Sequence, residues 1–351
     1  MKTEILKIDI HNIDSAKIKY AAQVIEEGGL VAFPTETVYG LGANALNKAA
    51  VEKIFMAKGR PSDNPLIVHV ADKESVEKLV SRIPEKAVKL MDTFWPGPLT
   101  LVMDKQSIVP DIITAGLNTV AVRVPSHPIA LALIRAAKLP IAAPSANISG
   151  KPSPTDSKHV INDLDGKVDV IIDGGFSNIG VESTVMDMVV EPPMLLRPGG
   201  ITLEQLEAVI GNVQIDPGVA QKNLDGKIVP KSPGMKYKHY APKAKVVIVE
   251  GEIQKVAEKI NELVKDYESR NIKVGILATD ETKQLYPEDL TVSLGSRMNP
   301  ETIASNLFNA FRDYDKTDVQ TIFAEAIDST GIGLAIMNRM NKAAGYNIIK
   351  V

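Results

Sequence analysis

The chain begins with apolar residues at helical spacing, and a short continuous apolar run follows them. The first pattern predicts a helix capped by Asp14, with Ile18 and Ile25 on its buried face. The second pattern, over residues 30–33, predicts a strand. That strand must end before Pro34, because proline has no N–H to give to a sheet ladder. The polar segment after Pro34 therefore begins where a strand leaves the sheet, a common position for ligand-binding groups.

A second helix is predicted after Asn47, a residue type that caps helices well. Its apolar stripe runs through Val51, Ile54 and Phe55, and the next position on that stripe is Lys58. A lysine on the core-facing stripe points towards the interior or a cleft. The alternative is a lysine that complements the helix dipole and extends to solvent. The pattern alone leaves both interpretations open.

Further along, alternating patterns predict strands over residues 65–70 and 118–125, and residues 75–90 are predicted to be helical. In the second strand the valines take the core face, which leaves Arg123 on the other face beside the small side chains of Thr119 and Ala121. A guanidinium in such a place suits a carboxylate. Strand arginines more often face solvent, and a histidine such as His69 on an apolar strand is more often structural than ligand-binding.

Proline-rich crossings and mixed helices and strands over residues 1–211 predict an α/β domain with a twisted mixed sheet. Residues 212–243 show no periodicity and carry tyrosines, a histidine and lysines, which favours a lid over a plain linker. Residues 244–351 alternate between strand and helix patterns. The alternation predicts a Rossmann-like domain with a parallel sheet.

Composition narrows the function classes. The chain has 351 residues, a formal net charge of -3, no cysteine and five scattered histidines. Disulfides, thiolate catalysis and cysteine-ligated metals are excluded, and the charge gives no general attraction to nucleic acid or membranes. There is no apolar signal core and no apolar run long enough to span a bilayer, so a cytoplasmic protein is expected.

Two glycine patterns, one starting at Gly40 and one at Gly331, only weakly favour a nicotinamide dehydrogenase, because neither sits in a complete dinucleotide-binding unit. No P-loop or G-x-S-x-G motif is present. What remains is a set of strand-end hydroxyls, amides and cations: Thr35, Ser145, Asn147, Ser183, Lys58, Arg60, Arg123 and Arg197. Such groups bind polyanions and carboxylates, which favours phosphoryl or nucleotidyl transfer. The alternative is an RNA-binding module that grips a phosphate backbone with the same cations.

Several separated motifs resemble the YrdC/YwlC family of threonylcarbamoyl-AMP synthases in its long, two-domain form. They are Pro34-Thr35-Glu36-Thr37-Val38-Tyr39-Gly40-Leu41, Lys58-Gly59-Arg60-Pro61, Trp95-Pro96-Gly97-Pro98-Leu99-Thr100, Arg123-Val124-Pro125 and Pro144-Ser145-Ala146-Asn147. The resemblance implies that L-threonine, bicarbonate and ATP, with Mg²⁺, become threonylcarbamoyl-AMP and pyrophosphate. It also implies a tRNA threonylcarbamoyl transferase complex as the recipient of the product. Direct tRNA binding is left open, and no membrane partner is expected.

The resemblance assigns roles to matched positions. Lys58 and Arg60 are expected to be catalytic. The ATP site is expected to contain Lys58, Arg60, Ser62, Thr119, Ser145, Asn147, Ser153, Arg197 and Tyr237, and the threonine site Thr35, His69, Arg123 and Ser183. His239 and Tyr240 are expected in the lid, and no protein ligand to a metal is assigned.

Overall fold

The computed structural model describes residues 2–220 and 239–351 of the chain, without the side chain of residue 220. These residues form two compact units. The first takes residues 2–149 and 153–220, and the second takes residues 150–152 and 239–351.

The described part of the first unit has strands β1 (Glu4–Lys7), β2 (Val31–Phe33), β3 (Gly40–Asn44), β4 (Ile67–His69), β5 (Leu99–Asp104), β6 (Thr119–Arg123), β7 (Ile141–Ala142), β8 (Val170–Asp173), β9 (Thr184–Asp187), β10 (Met194–Arg197) and β11 (Gln214–Ile215). Its helices are α1 (Ser15–Glu26), α2 (Lys48–Lys58), α3 (Glu74–Glu77), α4 (Glu85–Phe94), α5 (Asp111–Thr114), α6 (Pro128–Ala137), α7 (Ser157–Leu164), α8 (Leu203–Ile210) and α9 (Pro217–Ala220).

The strands of this unit form one sheet in the order β1-β8-β2-β3-β7-β4-β6-β5-β9-β10-β11. Parallel pairs such as β4 with β6 stand beside antiparallel pairs such as β5 with β6. The mixed-sheet prediction is therefore confirmed. His69 and Arg123 are register partners at the ends of β4 and β6, so the sheet itself brings these two predicted site residues side by side.

The core of the first unit forms where α1 and α6 pack on the sheet. Asp14 caps α1 by accepting hydrogen bonds from the N–H groups of Ala16 and Lys17, as its position predicted. Ile18 and Ile25 are buried in the same apolar cluster as Leu133 of α6. This packing holds the β2 end of the sheet rigid, and the segment after Pro34 leaves from that end.

The second unit has strands β12 (Lys245–Glu250), β13 (Val274–Ala278), β14 (Thr291–Ser293), β15 (Thr321–Glu325) and β16 (Ile348–Lys350), and helices α10 (Ile253–Ser269), α11 (Pro300–Tyr314) and α12 (Gly333–Ala344). Short 3₁₀ turns occupy Lys283–Leu285 and Glu288–Leu290. All neighbouring strands pair in parallel, in the order β14-β13-β15-β12-β16. The predicted parallel α/β architecture is confirmed.

Two local expectations are wrong, and the glycine pattern at Gly40, which favours a nucleotide site only weakly, belongs to a strand. Residues 75–90 are not one helix, because α3 ends at Glu77 and α4 starts only after Pro84. The glycine pattern at Gly40 is strand β3, paired antiparallel with β2. The face of β6 that carries Ala121 is also packed, in a small apolar cluster with residues such as Leu196, so it leaves less room for a ligand than predicted.

No helix in the described ranges is both long enough and apolar enough to cross a membrane.

Candidate active site

Lys58 is buried and joins two distant parts of the first unit. It is 3% exposed on the buried face of α2, so of the two interpretations the structure shows the lysine that points into the interior. Its Nζ donates to the carbonyl oxygens of Ser145 and Asn147, the latter at 2.6 Å, and lies 3.4 Å from Asn147 Oδ1. Ser145 Oγ donates to Asn147 Oδ1 at 2.6 Å. The structure therefore brings Lys58 to two other predicted ATP-site residues, Ser145 and Asn147, that lie 87 and 89 positions further along the chain.

Arg60 and Ser62 lie on the segment that leaves α2. The Arg60 guanidinium lies 5.7 Å from the centre of the Phe55 ring and donates to the carbonyl of Asn64 at 2.8 Å. Gly59, in the left-handed conformation at φ +60°, turns the chain so that Arg60 is buried again directly after the helix. Ser62 is exposed in the following loop. Arg60 thus borders the Lys58 region, and Ser62 is open to solvent.

Arg123 is the centre of a second buried group. Its Nη2 lies 2.6 Å from Oε1 of Glu36, its Nη1 donates to Thr37 Oγ1 at 3.0 Å and its Nε donates to the carbonyl of Gly97 at 3.2 Å. Thr35 is within the same group, because its hydroxyl lies 2.8 Å from that of Thr37. Burial by itself raises the pKa of Glu36, but the Arg123 guanidinium outweighs burial and holds the pKa below its usual value.

Two histidines stand beside this ion pair. Burial, and next the charge of Arg123, lower the pKa of His69 to about 3, so its imidazole is neutral at physiological pH. Among the described residues its Nδ1 has no hydrogen-bond partner. Burial also lowers the pKa of His127, against the opposing effect of Glu36. Neutral imidazoles leave the positive charge at this place to Arg123.

A third group contains Ser183 and Arg197. Arg197 donates from Nε to the Ser183 carbonyl at 3.0 Å and from Nη2 to the Ser183 hydroxyl at 3.1 Å, and that hydroxyl lies 2.8 Å from Thr100 Oγ1. Gly199 allows this approach, since a Cβ there would stand 2.3 Å from the Glu182 carbonyl oxygen. On the same segment the Glu182 carboxylate accepts the hydroxyl of Ser153 at 2.5 Å.

The segment from Thr35 to Tyr39 links these groups. Arg123 contacts Thr37, and two residues later the Tyr39 carbonyl accepts the N–H of Ala146, which lies between Ser145 and Asn147. Two residues of extended chain span at most about 7 Å. The Tyr39 N–H also donates to Pro154, next to Ser153. The predicted ATP-site turn and the predicted threonine site are therefore neighbours.

Four predicted positions are not joined to these groups. Thr119 starts β6, four residues before Arg123 and hence about 13 Å along the strand. Tyr237 lies outside the described residues. His239 and Tyr240 belong to the second unit, where the Tyr240 ring is buried and stacks on Phe308 at 5.3 Å. These roles stay predictions.

Sequence reasoning gave no role to Glu36 or Glu182. Both carry signals in hindsight: Glu36 stands between two threonines at a strand end, and Glu182 precedes Ser183. Neither signal names a partner, because Arg123 and Ser153 are far away in sequence. Within residues 2–220 and 239–351, no three His, Asp or Glu side chains are grouped so that they could hold a metal ion.

The chain is similar to known proteins over nearly its whole length. A family model described as "Telomere recombination" (Sua5_yciO_yrdC) matches residues 23–199, and one described as "Threonylcarbamoyl-AMP synthase, C-terminal domain" (Sua5_C) matches residues 201–345. The threonylcarbamoyl-AMP synthase of Pyrococcus abyssi is 55% identical over 97% of both chains, and that of Bacillus subtilis is 51% identical over the full length of both. The crystal structure of P. abyssi Sua5 complexed with L-threonine covers 99% of this chain and 100% of its own, at 54% identity and a TM-score of 0.94.

Proposed function

This chain belongs to the family of two-domain threonylcarbamoyl-AMP synthases, and on that premise we propose that it converts L-threonine, bicarbonate and ATP into threonylcarbamoyl-AMP and pyrophosphate. The observation that carries the proposal is the segment from Thr35 to Tyr39. It contacts Arg123 through Thr37 and the Ser145–Asn147 turn through Tyr39, so the proposed carboxylate-binding group and the proposed phosphate-binding group meet at one short segment.

The threonine half of the site is proposed at Thr35, His69, Arg123 and Ser183. The homologous P. abyssi protein has been crystallised with L-threonine, which supports the same substrate here. Arg123 is 3% exposed and its donors lie in one plane, which suits bidentate binding of a carboxylate. The neutral His69 adds no competing charge.

The ATP half is proposed at Lys58, Arg60, Ser145, Asn147, Ser153 and Arg197, with Ser62, Thr119 and Tyr237 as further predicted contacts. Lys58 holds the Ser145–Asn147 turn through hydrogen bonds to the carbonyl oxygens of both residues. A fixed positive charge and polar groups ordered before the substrate arrives are what a triphosphate requires.

The proposed reaction has two bond-forming steps. The neutral amine of threonine attacks the carbon of bicarbonate, and loss of water leaves a carbamate. A carbamate oxygen then attacks the α-phosphorus of ATP, the bond to the β-phosphate breaks, and pyrophosphate leaves with that electron pair. The residues contribute by positioning, by charge stabilisation and by keeping water from the labile carbamate.

Magnesium is proposed to arrive with ATP. Mg²⁺ usually keeps several waters and binds through substrate phosphates, so it needs few protein ligands. The Glu182 carboxylate beside Ser153 is a donor of the right chemistry. When bound, the ion would neutralise charge on the phosphates.

The product is proposed to pass to a separate transferase complex that modifies tRNA. The cytoplasmic location, the direct tRNA contact that the sequence left open and the role of residues 212–243 as a lid remain at the stage of predictions. No observation on the structure favours the RNA-binding or dehydrogenase alternatives over the synthase.

The test is threonine-dependent release of pyrophosphate from ATP in the presence of bicarbonate and Mg²⁺, with mass spectrometry of the adenylate product. We expect pyrophosphate release only when threonine is present, and a product whose mass is that of threonylcarbamoyl-AMP. Pyrophosphate release that does not depend on threonine would contradict the proposal. So would the absence of pyrophosphate release from folded protein.

A further inference from the structure

Threonine is a zwitterion, so a buried site for it must compensate two charges. Arg123 supplies a positive charge for the carboxylate. The ammonium requires an anion, because an unpaired charge taken out of water is strongly unfavourable. The roles assigned so far, to Thr35, His69 and Ser183, provide hydroxyls and a neutral imidazole but no negative charge.

Glu36 is the carboxylate placed to do this. Its Oε1 is 2.6 Å from Arg123 Nη2, and its side chain is 11% exposed. Arg123 is the register partner of His69, so the carboxylate that contacts Arg123 lies among the predicted threonine-site residues. Its two sequence neighbours carry the hydroxyls of Thr35 and Thr37, which hydrogen-bond each other.

Other buried carboxylates of this unit are engaged elsewhere. Glu182 accepts the Ser153 hydroxyl, and Asp163 lies 3.3 Å from the N–H of Ile148. Asp187 closes strand β9 and accepts the N–H of Val189. Glu36, in contrast, contacts the Arg123 guanidinium directly.

We propose that the Glu36 carboxylate binds the α-ammonium of the amino acid while Arg123 binds its carboxylate. The inference rests on the proposed function and deepens it. Without substrate, Glu36 and Arg123 pair with each other. When the zwitterion binds, this one ion pair is replaced by two ion pairs with the substrate, and no net charge is buried. Glu36 becomes a residue that selects an amino acid over a hydroxy acid of the same shape.

The experiment compares two ligands on the full-length chain. L-Threonine carries both charges, and 2,3-dihydroxybutanoate carries the same carboxylate with a hydroxyl in place of the amine. Dissociation constants of both are measured by ligand-detected NMR titration for the wild type, for Glu36→Gln and for Glu36→Asp. Glu74→Gln is the control, because Glu74 is an exposed carboxylate at the start of α3.

In Glu36→Gln the dissociation constant of threonine should rise by roughly 10- to 100-fold, the loss expected for one hydrogen bond between charged groups. That of the hydroxy acid should stay within about threefold. Glu36→Asp keeps the charge and should retain part of the preference for threonine, and Glu74→Gln should retain all of it. Unfolding temperatures measured alongside verify that each variant is folded.

An equal loss of affinity for both ligands in Glu36→Gln would mean that Glu36 only supports Arg123, and this would overturn the inference. Unchanged threonine binding in Glu36→Gln would overturn it as well. A wild type that binds no threonine and releases no pyrophosphate would instead refute the proposed function, which keeps the two failures apart.

Discussion

Among single residues, Arg123 and Lys58 make different kinds of contact with their surroundings. Arg123 faces a carboxylate, Glu36, and the pair is neutral. Lys58 donates to the carbonyl oxygens of Ser145 and Asn147 and so supports the turn of the proposed ATP site. This difference predicts different roles. Lys58 orders the turn that meets the phosphates, and Arg123 exchanges partners when a zwitterion arrives.

Replacing Lys58 with Met should therefore remove both the charge and the support of the Ser145–Asn147 turn while keeping the apolar stem. We expect kcat/KM for ATP to fall at least about 100-fold, the usual effect of losing one preorganised charge-stabilising group. Pyrophosphate release measures this. The control is Lys53→Met on the same helix, where the ammonium is bound to the Gly28 carbonyl, and it should keep wild-type activity. Equal activity of the two variants would remove Lys58 from the mechanism.

His69 predicts a pH dependence of stability. Its pKa is about 3 in the folded protein and near 6.5 when unfolded, so the unfolded chain binds more protons between these values. The contribution of His69 is fully present above pH 6.5 and is lost as the pH falls towards 3. Between pH 7 and 5.5 the free energy of unfolding of the wild type should fall by about 1 kcal/mol more than that of His69→Gln. The estimate follows from about 1.4 kcal/mol per pH unit for each proton bound on unfolding.

Urea unfolding followed by the fluorescence of Trp95 tests this, because Trp95 is the only tryptophan in the chain and lies in the first unit. Parallel pH curves for wild type and variant would show that His69 is not held neutral.

At the level of helices and strands, the elements with long periodic patterns were predicted well, and the elements that depend on close packing were not. The caps and apolar faces of α1 and α2 are as expected, because both depend on residues near in sequence. Strand β3 was not predicted, and its glycines were considered only as a weak nucleotide motif. Its Gly42 serves packing instead, since a Cβ there would stand 2.7 Å from the Phe33 ring. Such an approach depends on the sheet and not on the local pattern.

The site shows the same limit. Strand-end positions identified Thr35, Arg123, Ser145 and Asn147 as candidates, and the structure brings them to one segment. The pairing of Glu36 with Arg123 was not predictable, because Glu36 lies in the bends after β2, Arg123 ends β6, and the sheet places three strands between β2 and β6.

Gly199 provides a test of packing between elements. Alanine there would bring Cβ to 2.3 Å from backbone atoms of Glu182 and Thr184, so the turn that holds Ser183 against Arg197 must shift. We expect a loss of about 3 kcal/mol, the upper part of the range for overpacking. Gly116→Ala is the control. It has a left-handed φ of +82° and open space, so only about 1 kcal/mol should be lost. Unfolding by urea, read from Trp95, measures both.

Taken as a whole molecule, the chain has a separate core in each of its two units. The cluster around α1 and α6 belongs to the first unit, and the cluster of α10 with β12, β13 and β15 belongs to the second. The second unit also buries Glu325, whose carboxylate accepts from Tyr286, Thr282 and Arg297. Both of its oxygens have donors, which indicates a structural role. Separate cores predict that the first unit folds alone.

A chain of residues 1–210 should therefore unfold cooperatively, yet release pyrophosphate at least about tenfold more slowly than the full chain. The predicted lid residues Tyr237, His239 and Tyr240 would be absent. Residues 150–152 would also lose the bonds that the Ala241 N–H makes to Gly150 and Arg312 makes to Pro152. Those residues connect Asn147 to Ser153, so their order affects the proposed ATP site. Wild-type turnover by the short chain would show that neither the lid nor the second unit contributes.

The neutral Glu36–Arg123 pair has a consequence for ionic strength. A site with no net charge that takes up a ligand with no net charge releases few counterions, and buried pairs are weakly screened. Added potassium chloride should therefore leave the affinity for threonine almost unchanged, while it lowers the affinity for ATP, which is a polyanion. The amino acid would stay bound at both low and high salt, and only the occupancy of the site by ATP would depend on the salt concentration.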